Sequence, residues 1–161
     1  MTDSITRILV PVDFSSHSDR AVRYAARLAS QVGAAVELFH VVEDPLIGGV
    51  YTAEIYVPNV PEMIQGFVDD ASSRLASLKT SAFHHGADVD TAVVVGRAAH
   101  SIVEHATQGA FDLIVMGTHG RTGFSHLFMG SVAERVVRAA PCAVLTVRSN
   151  GVAATEAPKA A

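Results

Sequence analysis

The sequence predicts a doubly wound α/β fold, a parallel sheet with helices on both faces, and two patterns carry that prediction. Five short runs rich in Val, Ile and Leu alternate with four stretches whose apolar residues recur at three- and four-residue steps. Such alternation builds βαβ crossovers rather than hairpins. Several of the runs are almost continuously apolar, as strands covered on both faces are. The crossovers should be right-handed.

The first predicted strand is "ITRILVPVD", residues 5–13. A helix follows from Ser16 to Val32, where Ala21, Val22, Ala25, Leu28, Ala29 and Val32 share one side. Gly33 supplies its C-terminal stop. "AVELFHVV" (35–42) is the second strand. After it, "EDPLIGGVYTAEIYVPNVPE" (43–62) holds three prolines, two adjacent glycines and two tyrosines, and reads as a long excursion. A second helix is expected from Pro61 to His85, through Ile64, Phe67, Val68, Ala71, Leu75, Leu78 and Ala82, and ends at Gly86. "DVDTAVVVG" (88–96) is the third strand, and Ala98 to Gln108 the third helix, with Ile102, Val103 and Ala106 inward and Gly109 closing it. "FDLIVMG" (111–117), a helix from about Val132 to Ala139 before Pro141, and "CAVLTVR" (142–148) complete the series. One domain over residues 1–148 and a frayed tail over 149–161 are expected.

Composition narrows the function classes. Of 161 residues, 49% are apolar and 17% charged, and the net charge is −4, with ten arginines but only two lysines. No basic stripe is present, which argues against a nucleic-acid partner. The single cysteine, Cys142, has no internal disulfide partner and reads as a small buried hydrophobe in a reducing cytoplasm. The N-terminal apolar run is too short for a signal peptide, and no run of apolar residues is long enough for a membrane span. The eight histidines show no His-x3-His pairing, and no Cys-x2-Cys exists, so a zinc site is not expected. His17 and His40 have no partner evident from sequence.

The stretch "GTHGRTGFSHLFMGS", Gly117 to Ser131, is long for a connection between packed elements. It leaves the C-terminal end of a predicted strand, where open parallel sheets bind ligands. It ends at a predicted helix N-terminus, whose amides and dipole favour phosphate. Glycines let successive amides form an anion-binding concavity. It is not a P-loop, because no lysine follows Gly130, and the dinucleotide fingerprint GxGxxG is absent. The pattern present is G-x2-G-x9-G-S, made by Gly117, Gly120, Gly130 and Ser131.

That pattern, with "ILVPVDFS", "LFHVVE" and "DLIVMGTHGRTGFSHLFMGSVAERVVRAAPCAVLTVR", resembles the universal stress protein domain, in the subgroup that binds ATP. The resemblance covers about Thr6 to Arg148. It implies a Rossmann-like five-stranded sheet of order 3-2-1-4-5 in three α/β/α layers, and ATP with Mg²⁺ or Mn²⁺ as the bound group. Asp13 would then face the ribose and metal-bound phosphates, and Gly117 would meet it at the switch point. Pro11, Val12 and Val41 would line the adenine side, while Met116 is core with a possible contact to the base. His119, Gly120 and Arg121 would lie near the phosphates, and Ser125 and His126 are weaker candidates. Gly130 and the amides of Ser131 and Val132 would hold phosphate. The Ser131 hydroxyl could do so too, or could cap the helix, since Ser131 and Glu134 form an S-x-x-E capping box. Ser15 and Ser16 would cap the first helix, leaving Asp13 for the nucleotide.

The implied activity is nucleotide-dependent regulation in a cytoplasmic stress protein, with a regulatory protein partner reading the conformational change. Two other readings stay open. A slow ATPase would need a positioned base, for which Asp13 and His119 are the candidates. A nucleotide-independent interaction module would make the glycine loop purely structural. The resemblance also implies a homodimer through the fifth strand, and an apolar edge over 142–148 would itself seek a partner.

Overall fold

The computed structural model describes residues 4–43, 59–118 and 129–148. Its elements run β1 (Arg7–Pro11), α1 (Ser16–Val32), β2 (Ala35–Glu43), α2 (Val60–Ala82), β3 (Val89–Gly96), α3 (Ala98–Gln108), β4 (Leu113–Gly117), α4 (Ser131–Ala139) and β5 (Ala143–Val147). The sheet order is β3-β2-β1-β4-β5 and every pairing is parallel.

Strand alternation sorts the apolar residues into two cores. Ile8, Val10, Leu38, Leu113 and Val115 point to the layer formed by α1 and α2. Leu9, Phe39, Val41, Ile114 and Met116 point to the layer of α3 and α4. The central strand is buried on both sides, which is why "ILVP" shows no polar alternation. The direction of winding reverses between β1 and β4. That reversal opens a crevice at the carboxyl ends of those two strands.

Local signals set most boundaries. Ser15 caps α1 by accepting from the Ser18 N–H, and Gly33 ends it in the left-handed conformation at φ 73°. The second helix stops at Ala82, short of the expected His85, because Phe83 turns extended and packs on the first core. Gly109 closes α3 without a positive φ; the left-handed residue is Ala110, at φ 49°. A Cβ on Gly109 would instead strike the Phe111 ring at 2.3 Å.

Asp112 delays the start of β4 and fixes its register on β1. Its carboxylate accepts from the Thr6 N–H at 2.8 Å, the Thr6 hydroxyl at 2.7 Å and the Arg7 N–H at 2.9 Å. Its own N–H donates to the Arg7 carbonyl. These bonds, led by the Thr6 hydroxyl, hold the Asp112 carboxyl below its ordinary value of 3.8. A depressed carboxyl stabilises the fold above the unfolded pKa and loses that contribution as pH falls through the folded value. The melting-temperature deficit of Asp112→Ala should therefore be constant from neutral pH to about pH 5 and shrink below 3.8. Thermal melts across that range check the expectation.

Candidate functional site

The crevice between β1 and β4 is a cleft of about 280 Å³. That is near the small end of ligand pockets, which run about 300–1,000 Å³. It brings together Pro11, Val12, Asp13, Val41, Met116, Gly117, Gly130, Ser131 and Val132, residues drawn from four separate parts of the chain. His119, Gly120 and Arg121 lie outside the described residues, as do Ser125 and His126.

Two features hold the β4 side of the cleft. Gly117 sits against the first turn of α1, where a Cβ would meet the His17 carbonyl carbon, carbonyl oxygen and Cβ at 3.1 Å. A side chain there would have to push the helix backbone away, so this glycine has a packing reason independent of any ligand. Thr118, buried behind it, donates its N–H to the Val147 carbonyl at 3.1 Å. The Thr118 carbonyl accepts from the Gly130 N–H at 2.7 Å. The long connection thus leaves and returns at one hydrogen bond.

That closure delivers the N-terminus of α4 to the cleft. Gly130 is the N-cap residue, at φ −63° and ψ 148°, and α4 has no side-chain cap. The first intrahelical bond runs from the Glu134 N–H to the Gly130 carbonyl at 2.9 Å. The N–H groups of Ser131, Val132 and Ala133 therefore have no acceptor within the helix. They stand at the positive end of its dipole, in residues that line the cleft.

Of the roles open to Ser131, the capping box does not form. Ser131 is the first helical residue rather than the cap, so Glu134 is one position too far along. Glu134 pairs instead with Arg138 at 2.8 Å. Ser131→Ala should change stability by less than about 0.5 kcal/mol, as for a surface substitution away from a cap. A drop of 1 kcal/mol or more in denaturant unfolding would restore the capping role.

Asp13 is more constrained than the sequence suggested. Its Oδ1 accepts from the Ser15 N–H at 3.0 Å and the Ser15 hydroxyl at 2.6 Å. Ser15 therefore caps α1 and tethers the acid together. Phe14, between them, is held left-handed at φ 61°, a conformation costing a non-glycine residue about 1 kcal/mol. Asp13 still lines the cleft, at a fixed place rather than on a free arm.

Part of the wall comes from residues outside the sequence motif. Ala98 and Ile102, one turn apart on α3, close the apolar side with Phe39 and Met116. Their helical spacing was legible, but not the cleft they would face. Ser18, Glu43, Thr118 and Ala133 also line it. His40, given no partner from sequence, is buried in the wall with Nδ1 2.7 Å from the Val12 carbonyl.

Other groups take themselves out of the chemistry. Burial and the Asp112 charge push the Cys142 thiol up, and its side chain packs on the second core. Among the described residues no group of three His, Cys, Asp or Glu side chains could hold a metal ion. A wider groove follows α1, but it is an open helix flank lined by exposed arginines rather than a closed cleft. No described helix is long and apolar enough to cross a membrane.

Comparison with known proteins gives the family and the fold. Residues 4–148 match the universal stress protein family. Universal stress protein MJ0531 of Methanocaldococcus jannaschii is 35% identical over 143 residues, covering 88% of this chain and 81% of its own. The solved structure of MJ0577, from the same organism, superimposes with a TM-score of 0.79 at 26% identity, over 92% of this chain and 99% of its own. A universal stress protein solved in complex with cAMP shares the fold at a TM-score of 0.59 and 21% identity, over 89% and 97% of the two chains. The chain belongs to the universal stress protein family.

Proposed function

We propose that the cleft binds an adenine nucleotide, ATP with Mg²⁺ or Mn²⁺, and that the protein is a cytoplasmic regulator whose surface changes with nucleotide state. One observation carries this: Asp13, the Gly117 backbone and the uncapped amides of α4 converge on one cleft at the switch point. The apolar wall of Pro11, Val12, Val41 and Met116 suits a base, and the α4 amides suit phosphate. His119, Gly120 and Arg121, carried over from the family pattern, would complete the phosphate side. A divalent ion would be held mainly through phosphate oxygens, with Asp13 as a protein ligand.

The assigned activity is binding rather than turnover. Of the two candidate bases, Asp13 is held through Oδ1 by Ser15 and His119 lies outside the described residues, so what supports turnover is less than what supports binding. The direct test is to denature the purified protein and identify the released small molecule. An adenine nucleotide at near-equimolar yield supports the reading; protein free of nucleotide that also takes up none would refute it.

Pairing through residues 142–148 belongs to the same proposal. The β5 strand lies at the sheet edge, and edges of this kind recruit a second strand. Light scattering after size exclusion should give a dimer at micromolar concentration. A strict monomer would contradict it.

A further inference from the structure

We infer that His40 is a positioning residue for the nucleotide site, holding the Asp13 carboxylate in place by gripping the residues on either side of it. The inference rests on the nucleotide reading of the cleft. It starts where β1 and β2 part. Their register runs to Pro11 opposite Phe39, and one further rung joins the Val12 N–H to the Phe39 carbonyl at 2.8 Å. The Val12 carbonyl is then met by a side chain, the His40 Nδ1, at 2.7 Å. A carbonyl only accepts, so Nδ1 carries the proton.

The same imidazole touches the far side of Asp13. The Phe14 ring lies 4.7 Å from it, tilted by 40°. Phe14 is the left-handed residue of the turn, at φ 61°, a conformation that persists only where its surroundings enforce it. From α2, the Arg74 guanidinium sits 3.9 Å over the Phe14 ring. Val12 is thus fixed by a hydrogen bond and Phe14 by ring packing, with Asp13 between them. Ser15 sets the carboxylate's rotation, and His40 sets where the backbone carrying it sits.

Burial alone gives His40 no such role; a phenylalanine would fill the same space. Two substitutions separate packing from positioning. His40→Phe keeps a ring against Phe14 and removes the donor. His40→Asn places an amide donor near the Nδ1 position and removes the ring. ATP·Mg²⁺ affinity should fall about tenfold or more in His40→Phe and stay within about threefold in His40→Asn. In an Asp13→Asn background, His40→Phe should cost less than about twofold, because the two residues act as one unit. Circular dichroism and thermal melts establish that each variant is folded.

A full additive loss in the double variant would overturn the inference, as would wild-type affinity in His40→Phe. Nitrogen-15 NMR of the nucleotide-free protein gives a second measure, independent of ligand and of any variant's folding. It should find the proton on Nδ1 of His40; a ring protonated only at Nε2 would overturn the inference. Failure of wild type to bind any adenine nucleotide would overturn the functional reading itself, and the His40 role with it.

Discussion

Replacing Gly130 with valine should weaken ATP binding at least about 100-fold, or about 2.7 kcal/mol, while the protein stays folded. The backbone does not require glycine here, since φ −63° and ψ 148° suit any residue. The Gly130 N–H would keep its bond to the Thr118 carbonyl, so the loop would still close. What changes is the space. Gly130 lines the cleft immediately before the free amides of α4, and an isopropyl group there would keep a phosphate from reaching them. Valine is also a poor N-cap, which should cost the fold about 1 kcal/mol. Calorimetric titration and a thermal melt on the same sample separate the two effects. An unfolded variant, or one that binds like wild type, would contradict the assignment.

A large loss of stability is expected at Leu75. It is fully buried, and with Ala71 it is one of the two buried residues of the 23-residue α2. The rest of that helix's inward side is only partly covered, so its attachment to β2 and β3 leans on this side chain. Leu75→Ala should remove about 3 kcal/mol, combining lost transfer energy with the cavity left behind. For a chain of this size that lowers the melting temperature by roughly 6–12 °C. Leu75 lines no part of the cleft. The ATP affinity of the folded fraction should therefore stay within about threefold of wild type. A loss under 1 kcal/mol would mean that α2 is held by other contacts.

Most of the fold was legible because each element carries its own punctuation. Gly33, Gly109 and Pro141 mark helix ends, and the helices Ser16–Val32 and Ala98–Gln108 fall where their apolar spacing places them. Boundaries failed where a residue serves something beyond its own element. Phe83 leaves the helix to fill the core, and Asp112 leaves the strand to clamp the first one. The order of strands was not in the periodicity at all; it came with the family pattern.

The site was legible in part for the same reason. Glycine spacing points to a loop at a strand end, and the family pattern supplies Asp13. No local signal says that α3 supplies the apolar wall, that Thr118 and Gly130 pin the loop, or that His40 meets the Val12 carbonyl. Those contacts join residues 12 to 28 positions apart or belong to different layers. The capping box has the right residue types, but it does not form because the helix begins one position earlier than the box requires.

Calorimetric titration of nucleotide-stripped protein with ATP, ADP, AMP and cAMP, with and without Mg²⁺, tests the central claim most directly. Cyclic AMP is included because a protein of the same fold was solved with it. The expected result is saturable binding of ATP, strengthened by Mg²⁺ and lost in Gly130→Val. No binding of any adenine nucleotide by the folded wild-type protein would contradict it, and would leave the cleft as a structural seam between β1 and β4.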